Sequence, residues 1–193
     1  MLAFVRAGVG AIVELGCGTG RDTLDFVRNG IAVDALDYAA PALRACDARA
    51  RERGLGDRLR THVHDVREPL PFAAETFEGA YAHMLFCMAL TDADLHAAFA
   101  EVRRVLRSGG VLVFSVRTTD DPDARAGTPL TPYLRDVDGD VIRFFSRACL
   151  TRFTPGFEIL DVARLEEGPL PKRLFVVTAR KAHGADEPAQ DAR

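Results

Sequence analysis

The sequence predicts an α/β fold built on a doubly wound, largely parallel sheet. Short apolar runs alternate with segments of helical periodicity over residues 11–116. Two further apolar runs, 157–165 and 174–179, flank the eight residues EEGPLPKR. A parallel pair needs a longer crossover, so these two runs must be antiparallel. We therefore predict a seven-stranded sheet with the strand order 3-2-1-4-5-7-6, in which only the last strand is antiparallel.

The predicted elements follow from where the apolar patterns begin and end. The first five strands cover residues 11–15, 31–36, 59–64, 77–84 and 111–116. Helices are predicted over residues 19–29, 41–53, 92–106 and 146–153. The Ser-Gly-Gly sequence at 108–110 is expected to end the third helix before the fifth strand begins.

Residues 117–142 are polar and rich in Pro, Gly and Asp, which is typical of a lid or binding loop. Residues 1–181 are predicted to form one domain. The polar tail, residues 182–193, is predicted to be disordered.

Composition excludes several classes of protein. The chain has 193 residues, of which 48% are hydrophobic and 27% charged, as in an average globular domain. A formal net charge of −3 argues against a nucleic-acid partner bound through net positive charge. Four cysteines without a CxxC pair indicate neither a zinc site nor a disulfide framework, and we predict no metal. The longest near-apolar run, 80–90, is too short to span a bilayer, and a cytoplasmic protein is predicted.

A glycine-rich turn follows the first strand, with the sequence Glu-Leu-Gly-Cys-Gly-Thr-Gly over residues 14–20. Glycines allow a tight turn and let a ligand lie against the backbone, and amides at the next helix start favour an anionic group. The dinucleotide fingerprint GxGxxG needs a third glycine where this chain has Arg21. A turn that serves only as a tight connection is the structural alternative.

Asp37 closes the second predicted strand, 21 residues after Gly16. An acid at about this offset meets the ribose in nucleoside-binding α/β folds, where its carboxylate accepts charge-assisted hydrogen bonds from the hydroxyls. The alternative is a solvated aspartate at a strand end. We expect a solvent-accessible carboxylate that contributes little to stability.

These motifs, together with His-Asp-Val at 64–66 and Leu-Arg-Ser-Gly-Gly at 106–110, resemble the class I S-adenosylmethionine-dependent methyltransferases. The resemblance covers residues 11–116, and the later segment loosely resembles the tellurite-resistance-type small-molecule branch. It implies a Rossmann-like fold, S-adenosylmethionine as the cofactor, and in-line methyl transfer to a small-molecule acceptor.

The resemblance also implies a cofactor site. The methionine part would be held by Glu14 and by the turn residues Gly16, Cys17, Gly18 and Gly20. The ribose would be bound by Asp37, and the adenine by Tyr38, Asp65 and the Val66 amide. His83, at the end of the fourth strand, would face the methyl-transfer site.

Three residues are candidates on the acceptor side. His83 has the pKa range of a general base, although a core histidine is the alternative. Arg117 could hold an anionic acceptor or form a surface ion pair, and Tyr133 could line the pocket. A non-catalytic protein of the same fold, or an NAD-dependent oxidoreductase, are alternative functions.

The segment ahead of the first strand is short for the family that the chain resembles. Only ten residues precede Ala11, whereas one or two helices usually cover the cofactor there. Either this start of the chain is a shortened one, or the cover comes from residues 117–142 or from a second subunit in a homodimer.

Overall fold

The computed structural model describes residues 2–168 and 172–182 of the chain. The main sheet is built from β1 (Ala11–Leu15), β2 (Ala32–Asp37), β3 (Leu59–Val63), β4 (Phe77–His83), β5 (Leu106–Arg117), β9 (Phe157–Glu167) and β10 (Lys172–Lys181). A small second sheet contains β6 (Thr128–Pro129), β7 (Leu134–Val137) and β8 (Asp140–Arg143). The helices are α1 (Leu2–Arg6), α2 (Arg21–Arg28), α3 (Ala40–Glu52), α4 (Asp92–Val105), α5 (Pro122–Ala126) and α6 (Arg147–Phe153). A 3₁₀ turn covers Gly56–Arg58.

The main sheet confirms the predicted topology. Its order is β3-β2-β1-β4-β5-β10-β9, which is 3-2-1-4-5-7-6 once the strands of the small sheet are set aside. β1 to β5 run parallel, and β10 is antiparallel to both β5 and β9. The short connection between the last two runs therefore forces a hairpin, as expected.

Apolar side chains cover both faces of the sheet, so its central strands are buried. On one face, the Phe86 ring lies 4.4 Å from that of Phe99 on α4, measured between centroids. On the other face, Phe4 of α1 packs edge-on against Phe26 of α2 at 5.7 Å, and both rings are buried. Burial of such side chains supplies most of the favourable folding free energy.

The fifth strand begins five residues earlier than predicted. Leu106 is buried and pairs with Phe77 of β4, and Gly109 has a φ of +72°. The register with β4 shifts between Phe77 and Gly79, so a bulge absorbs the extra residues instead of a break. The Ser-Gly-Gly sequence thus lies inside a strand.

Residues 117–142 are more structured than a polar loop. They contain α5 and most of the small sheet. The buried Arg117 guanidinium holds the segment, because Nη2 lies 2.6 Å from Oδ2 of Asp123 and Nε lies 3.1 Å from Oδ2 of Asp121. The sequence did not predict this structure, because the pattern of a polar segment does not show that its ion pairs are buried. Residues 183–193 of the predicted tail lie outside the described residues.

A buried acid ties β1 to α2. Oε2 of Glu14 accepts a hydrogen bond of 2.6 Å from Oγ1 of Thr23, and both side chains are buried. Burial raises the pKa of Glu14 to about 8, against an ordinary value of 4.5. The carboxyl group is therefore largely protonated at neutral pH, and it holds the start of α2 against the strand.

The first prediction concerns the glycine at the start of α2. Gly20 has a φ of +82°, and a Cβ there would lie 2.3 Å from Sγ of Cys46, whereas Gly30 (φ +85°) has open space. Alanine at either position costs ~1–2 kcal/mol through the left-handed backbone. We expect Gly20→Ala to lose a further ~1–3 kcal/mol through overpacking, as measured by urea denaturation. Equal losses in the two variants would contradict this assignment.

The second prediction concerns Glu14. Its pKa is higher in the folded chain than its ordinary value, so unfolding releases a proton between about pH 4.5 and 8. The contribution of Glu14 to stability therefore falls as pH rises through this window. We expect the wild type to lose stability relative to Glu14→Gln over that range, as measured by urea denaturation at several pH values. Glu52→Gln, at an exposed position on α3, is the control and should track the wild type.

Candidate active site

A cleft of about 520 Å³ lies at the carboxyl edge of the sheet, where the strand order reverses around β1. Its volume is in the range of small-molecule sites. The structure brings together in its walls six residues that the sequence placed in the cofactor site, namely Gly16, Asp37, Tyr38, Asp65, Val66 and His83. Glu14, Cys17, Gly18 and Gly20 lie in or beside the turn that borders this cleft.

The glycine turn adopts a backbone that only glycine enters readily. Gly16, Gly18 and Gly20 have φ values of +71°, +54° and +82°. The amides of Gly16 and Cys17 donate to the Leu36 carbonyl at 2.8 and 3.1 Å, which ties the turn to β2. The hydrogen bond with Cys46 raises the pKa of the buried Cys17 thiol, which stays neutral and serves packing.

Asp37 braces this turn, contrary to the expected solvent-accessible carboxylate. The residue is only 9% exposed. Oδ2 accepts from the Gly18 amide and Oδ1 from the Ala39 amide, each at 2.8 Å. The carboxylate satisfies two loop amides that have no partner in a strand or helix, so its loss should also affect folding. Each oxygen keeps a second lone pair for a ligand.

Tyr38 and Asp65 lie at the mouth of the cleft. Tyr38 is 78% exposed, beside Asp37. Arg67 donates to both oxygens of the Asp65 carboxylate, with Nε at 2.9 Å from Oδ1. These hydrogen bonds lower the pKa of Asp65 to about 2. Arg67 also lines the cleft, so this carboxylate reaches a ligand only alongside a guanidinium that the sequence reasoning overlooked.

His83 lies inside a polar chain that crosses four elements. Its Nδ1 is 2.8 Å from Oγ of Ser115 on β5, and its Nε2 is 3.1 Å from Oε2 of Glu167 on β9. Oε1 of Glu167 in turn accepts from Arg21 on α2. Burial lowers the pKa of His83 despite the nearby carboxylates of Glu167 and Asp22, so the imidazole is neutral at physiological pH.

A second cavity, of about 500 Å³, adjoins the cleft. Met84 and Met88 line both cavities and form their common wall. The charged residues around the second cavity are Asp121, Asp123, Asp138, Asp140, Arg117 and Lys172. The carboxylates therefore outnumber the cations in its walls.

Of the acceptor-side candidates, only Arg117 lines this second cavity. Its guanidinium is already paired with Asp121 and Asp123 and stacks 5.2 Å from the Phe144 ring centroid. An anion would have to displace a buried carboxylate, so this geometry favours the ion pair. Tyr133 is partly exposed, is not among the residues lining either cavity, and accepts at its carbonyl from the Phe144 amide at 2.9 Å.

Met84 is a site residue that the sequence reasoning missed. It has a φ of +51°, a strained conformation for a residue with a side chain, and its amide donates to the carbonyl and Oγ of Ser115. Such strain is found at functional sites, and here it sits at the wall between two cavities. The only local signal is that Met84 directly follows β4.

Over residues 2–168 and 172–182, we find no group of three or more His, Cys, Asp or Glu side chains arranged to hold a metal ion. In the same part of the chain, no helix is long and apolar enough to cross a membrane.

Comparisons with known proteins agree with this geometry. A family model described as a methyltransferase domain matches residues 12–110. Methyltransferase phqN of Penicillium fellutanum is 29% identical over 82% of this chain and 49% of its own length. A malonyl-[acyl-carrier protein] O-methyltransferase of Enterobacter lignolyticus is 32% identical over 90% of this chain and 64% of its own. The chain thus spans about half to two thirds of these relatives.

Solved structures show the same fold. A S-adenosylmethionine-dependent methyltransferase of Methanosarcina mazei superposes with a TM-score of 0.79 at 20% identity, covering 89% of this chain and 92% of its own. A 1,6-didemethyltoxoflavin-N1-methyltransferase of Burkholderia thailandensis, solved with S-adenosylhomocysteine, has a TM-score of 0.75 at 23% identity. That match covers 94% of this chain and 75% of the other.

The family model covers more than half of the chain, and it includes the glycine turn, Asp37, Asp65 and His83. The sheet order and the Rossmann-like neighbours agree with it. The chain therefore belongs to the methyltransferase domain family, a class I family that uses S-adenosylmethionine as its cofactor.

Proposed function

We propose that this chain transfers a methyl group from S-adenosylmethionine to a small-molecule acceptor. The observation that carries the proposal is the pair of adjoining cavities at the carboxyl edge of the sheet, with Met84 and Met88 as their common wall. The cofactor would occupy the cleft beside the glycine turn, and the acceptor the cavity beyond the two methionines.

The cleft fits the cofactor in shape and in chemistry. A Cβ on Gly18 would meet no atom within 4 Å, so the turn leaves open space for a ligand against the backbone. The exposed Tyr38 ring offers an apolar face for an adenine, and Asp37 keeps acceptor capacity for ribose hydroxyls. Gly16, Cys17, Gly18 and Gly20 are proposed to hold the methionine part, with the buried Glu14 supporting them through Thr23. Val66 and Asp65 are proposed to hold the adenine edge.

Positioning accounts for most of the proposed catalysis. When bound, S-adenosylmethionine supplies a methyl group on a positively charged sulfur. Alignment of two reactants can lower a barrier by about 7–11 kcal/mol. The apolar side chains of Met84, Leu85 and Met88 line the wall beside which the reactants would be aligned. The neutral His83 lies beside this wall, and a role as a base for acceptors that carry an acidic proton requires its Nδ1 to leave the Ser115 hydroxyl.

The two alternative functions drawn from the sequence are not equally supported. Membership of the methyltransferase domain family, and the absence of a third fingerprint glycine at Arg21, argue against the NAD-dependent oxidoreductase. A protein that binds the cofactor without turnover keeps the same fold and the same cleft. It is separated from the enzyme by assay of methyl transfer to a panel of small amines, thiols and hydroxyl compounds.

The compartment and the class of partner are proposed from the composition of the chain. Four free cysteines, all buried, support a reducing cytoplasm. The net charge of −3 supports a small-molecule acceptor over a nucleic acid. A homodimer that completes the site stays a prediction from the sequence.

The third prediction concerns Asp37→Ala. The loss of its hydrogen bonds to ribose should weaken S-adenosylhomocysteine by about 30- to 1000-fold in calorimetry. The Gly18 and Ala39 amides also lose their acceptor, so we expect a stability loss of ~1–3 kcal/mol. Asp37→Asn keeps one acceptor oxygen and should lie between the two proteins in affinity.

NAD is the control ligand in this experiment. Wild-type protein that bound NAD but not S-adenosylhomocysteine would overturn the proposed function. Equal affinity of the wild type and of a folded Asp37→Ala variant would leave the function standing but remove the role of Asp37.

The fourth prediction concerns the second cavity. The chain has no tryptophan, so Val137→Trp both fills this cavity and introduces a single fluorescent reporter. We expect it to leave S-adenosylhomocysteine affinity within about twofold and to lower methyl transfer to the best panel acceptor by about tenfold or more. Val5→Trp, at an exposed position on α1, is the matched control. Unimpaired transfer in Val137→Trp would place the acceptor elsewhere.

A further inference from the structure

The end of the β9–β10 hairpin brings an acid onto the histidine of the site. Glu167 is the last residue of β9, and its carboxylate bridges two elements. Oε1 accepts from Nη1 of Arg21 at the start of α2, and Oε2 lies 3.1 Å from Nε2 of His83 at the end of β4. The His83 side chain is only 16% exposed, so this contact is largely withdrawn from water.

The contact between His83 and Glu167 is close but not complete. Nε2 and Oε2 are both buried, and their alignment does not make a hydrogen bond. Buried polar atoms are nearly always paired, and a carboxylate can only accept. If Nε2 carries the proton, a small rotation that aligns this N–H with Oε2 would therefore satisfy both atoms at once.

Ser115 fixes which nitrogen of His83 carries the proton. Its Oγ accepts from the Met84 amide at 3.0 Å and lies 2.8 Å from Nδ1 of His83. If the hydroxyl donates to Nδ1, every group in the chain has a partner and Nε2–H faces Glu167. In the other tautomer, the hydroxyl proton has no acceptor among the contacts of the described residues, and two lone pairs oppose each other across 3.1 Å.

We propose that Glu167 is a positioning residue of the methyl-transfer site, which holds the His83 imidazole as the Nε2–H tautomer against the cofactor cleft. The inference rests on the proposed function for its catalytic meaning, but the tautomer is a property of the protein alone. The chain Arg21–Glu167–His83–Ser115–Met84 links the helix after the glycine turn to the wall between the two cavities. None of these links uses the ion pair of the neighbouring Glu166, which contacts Arg173 at 3.0 Å.

The charged groups that face His83 set the direction of its response to mutation. Glu167 and Asp22 raise its pKa, whereas burial and Arg21 lower it. Asp22 is itself held by Arg21 and by the Tyr81 hydroxyl at 2.9 Å. Removal of the Glu167 charge should therefore lower the pKa of His83 below its wild-type value.

The test is imidazole nitrogen NMR on the full chain, with His83 assigned from the spectrum of His83→Gln. We expect the Nε2–H tautomer in the wild type and in Glu167→Gln, whose amide oxygen still accepts. We expect Glu167→Ala to lose this preference, and both variants to lower the His83 titration midpoint. Glu166→Gln, which removes a charge one residue away, should leave the tautomer and the midpoint unchanged.

Calorimetry on the same proteins gives the functional arm. S-adenosylhomocysteine should bind Glu167→Ala about two- to tenfold more weakly, with Glu167→Gln closer to the wild type. A wild-type Nδ1–H tautomer, or a Glu167→Ala spectrum identical to wild type, would overturn the proposal. Failure of every protein, wild type included, to bind S-adenosylhomocysteine would count against the proposed function, while the NMR result would still decide the role of Glu167.

Discussion

The hydrogen bond from the Gly18 amide to Asp37 is the constraint on which the site depends. A turn that enters the left-handed region three times gains little from regular secondary structure, and its amides need acceptors from elsewhere. The Leu36 carbonyl takes two of them, and the Asp37 carboxylate takes a third. The end of β2 therefore shapes the turn after β1, and the residue that would bind the ribose also builds the floor of the cleft.

Buried ionisable groups near the carboxyl ends of β1 and β5 are handled in two ways. Glu14 is kept largely neutral, because its pKa is raised by burial to about 8 and its oxygen is satisfied by Thr23. Arg117 stays charged, because Asp121 and Asp123 surround its guanidinium. Removal of one partner from such a pair is strongly destabilising, so Arg117 serves the second cavity by holding α5 in place.

The sequence predicted the sheet well because its signals are local. An apolar run that ends at Gly16, or at Asp37, marks a strand end regardless of the rest of the chain. The hairpin of β9 and β10 followed from the short connection between the two apolar runs alone. The predicted start of β5 was wrong because a bulge between the pairings of Phe77 and Gly79 lets a glycine pair continue the strand. Whether a strand accepts a bulge depends on its neighbour.

Only part of the candidate site could be predicted by the same reasoning. Residues on the turn and at strand ends were found because motif and position coincide. Glu167 was not, since it meets His83 across 84 positions of the chain (167 minus 83) and no pattern within β9 distinguishes it from Glu166. Alternation within a strand sends these neighbours to opposite faces, and only the position of the hairpin above β4 decides which one reaches the cleft. The conformation of Met84 depends in the same way on Ser115 in the next strand, so the wall between the cavities is specified by strand pairing.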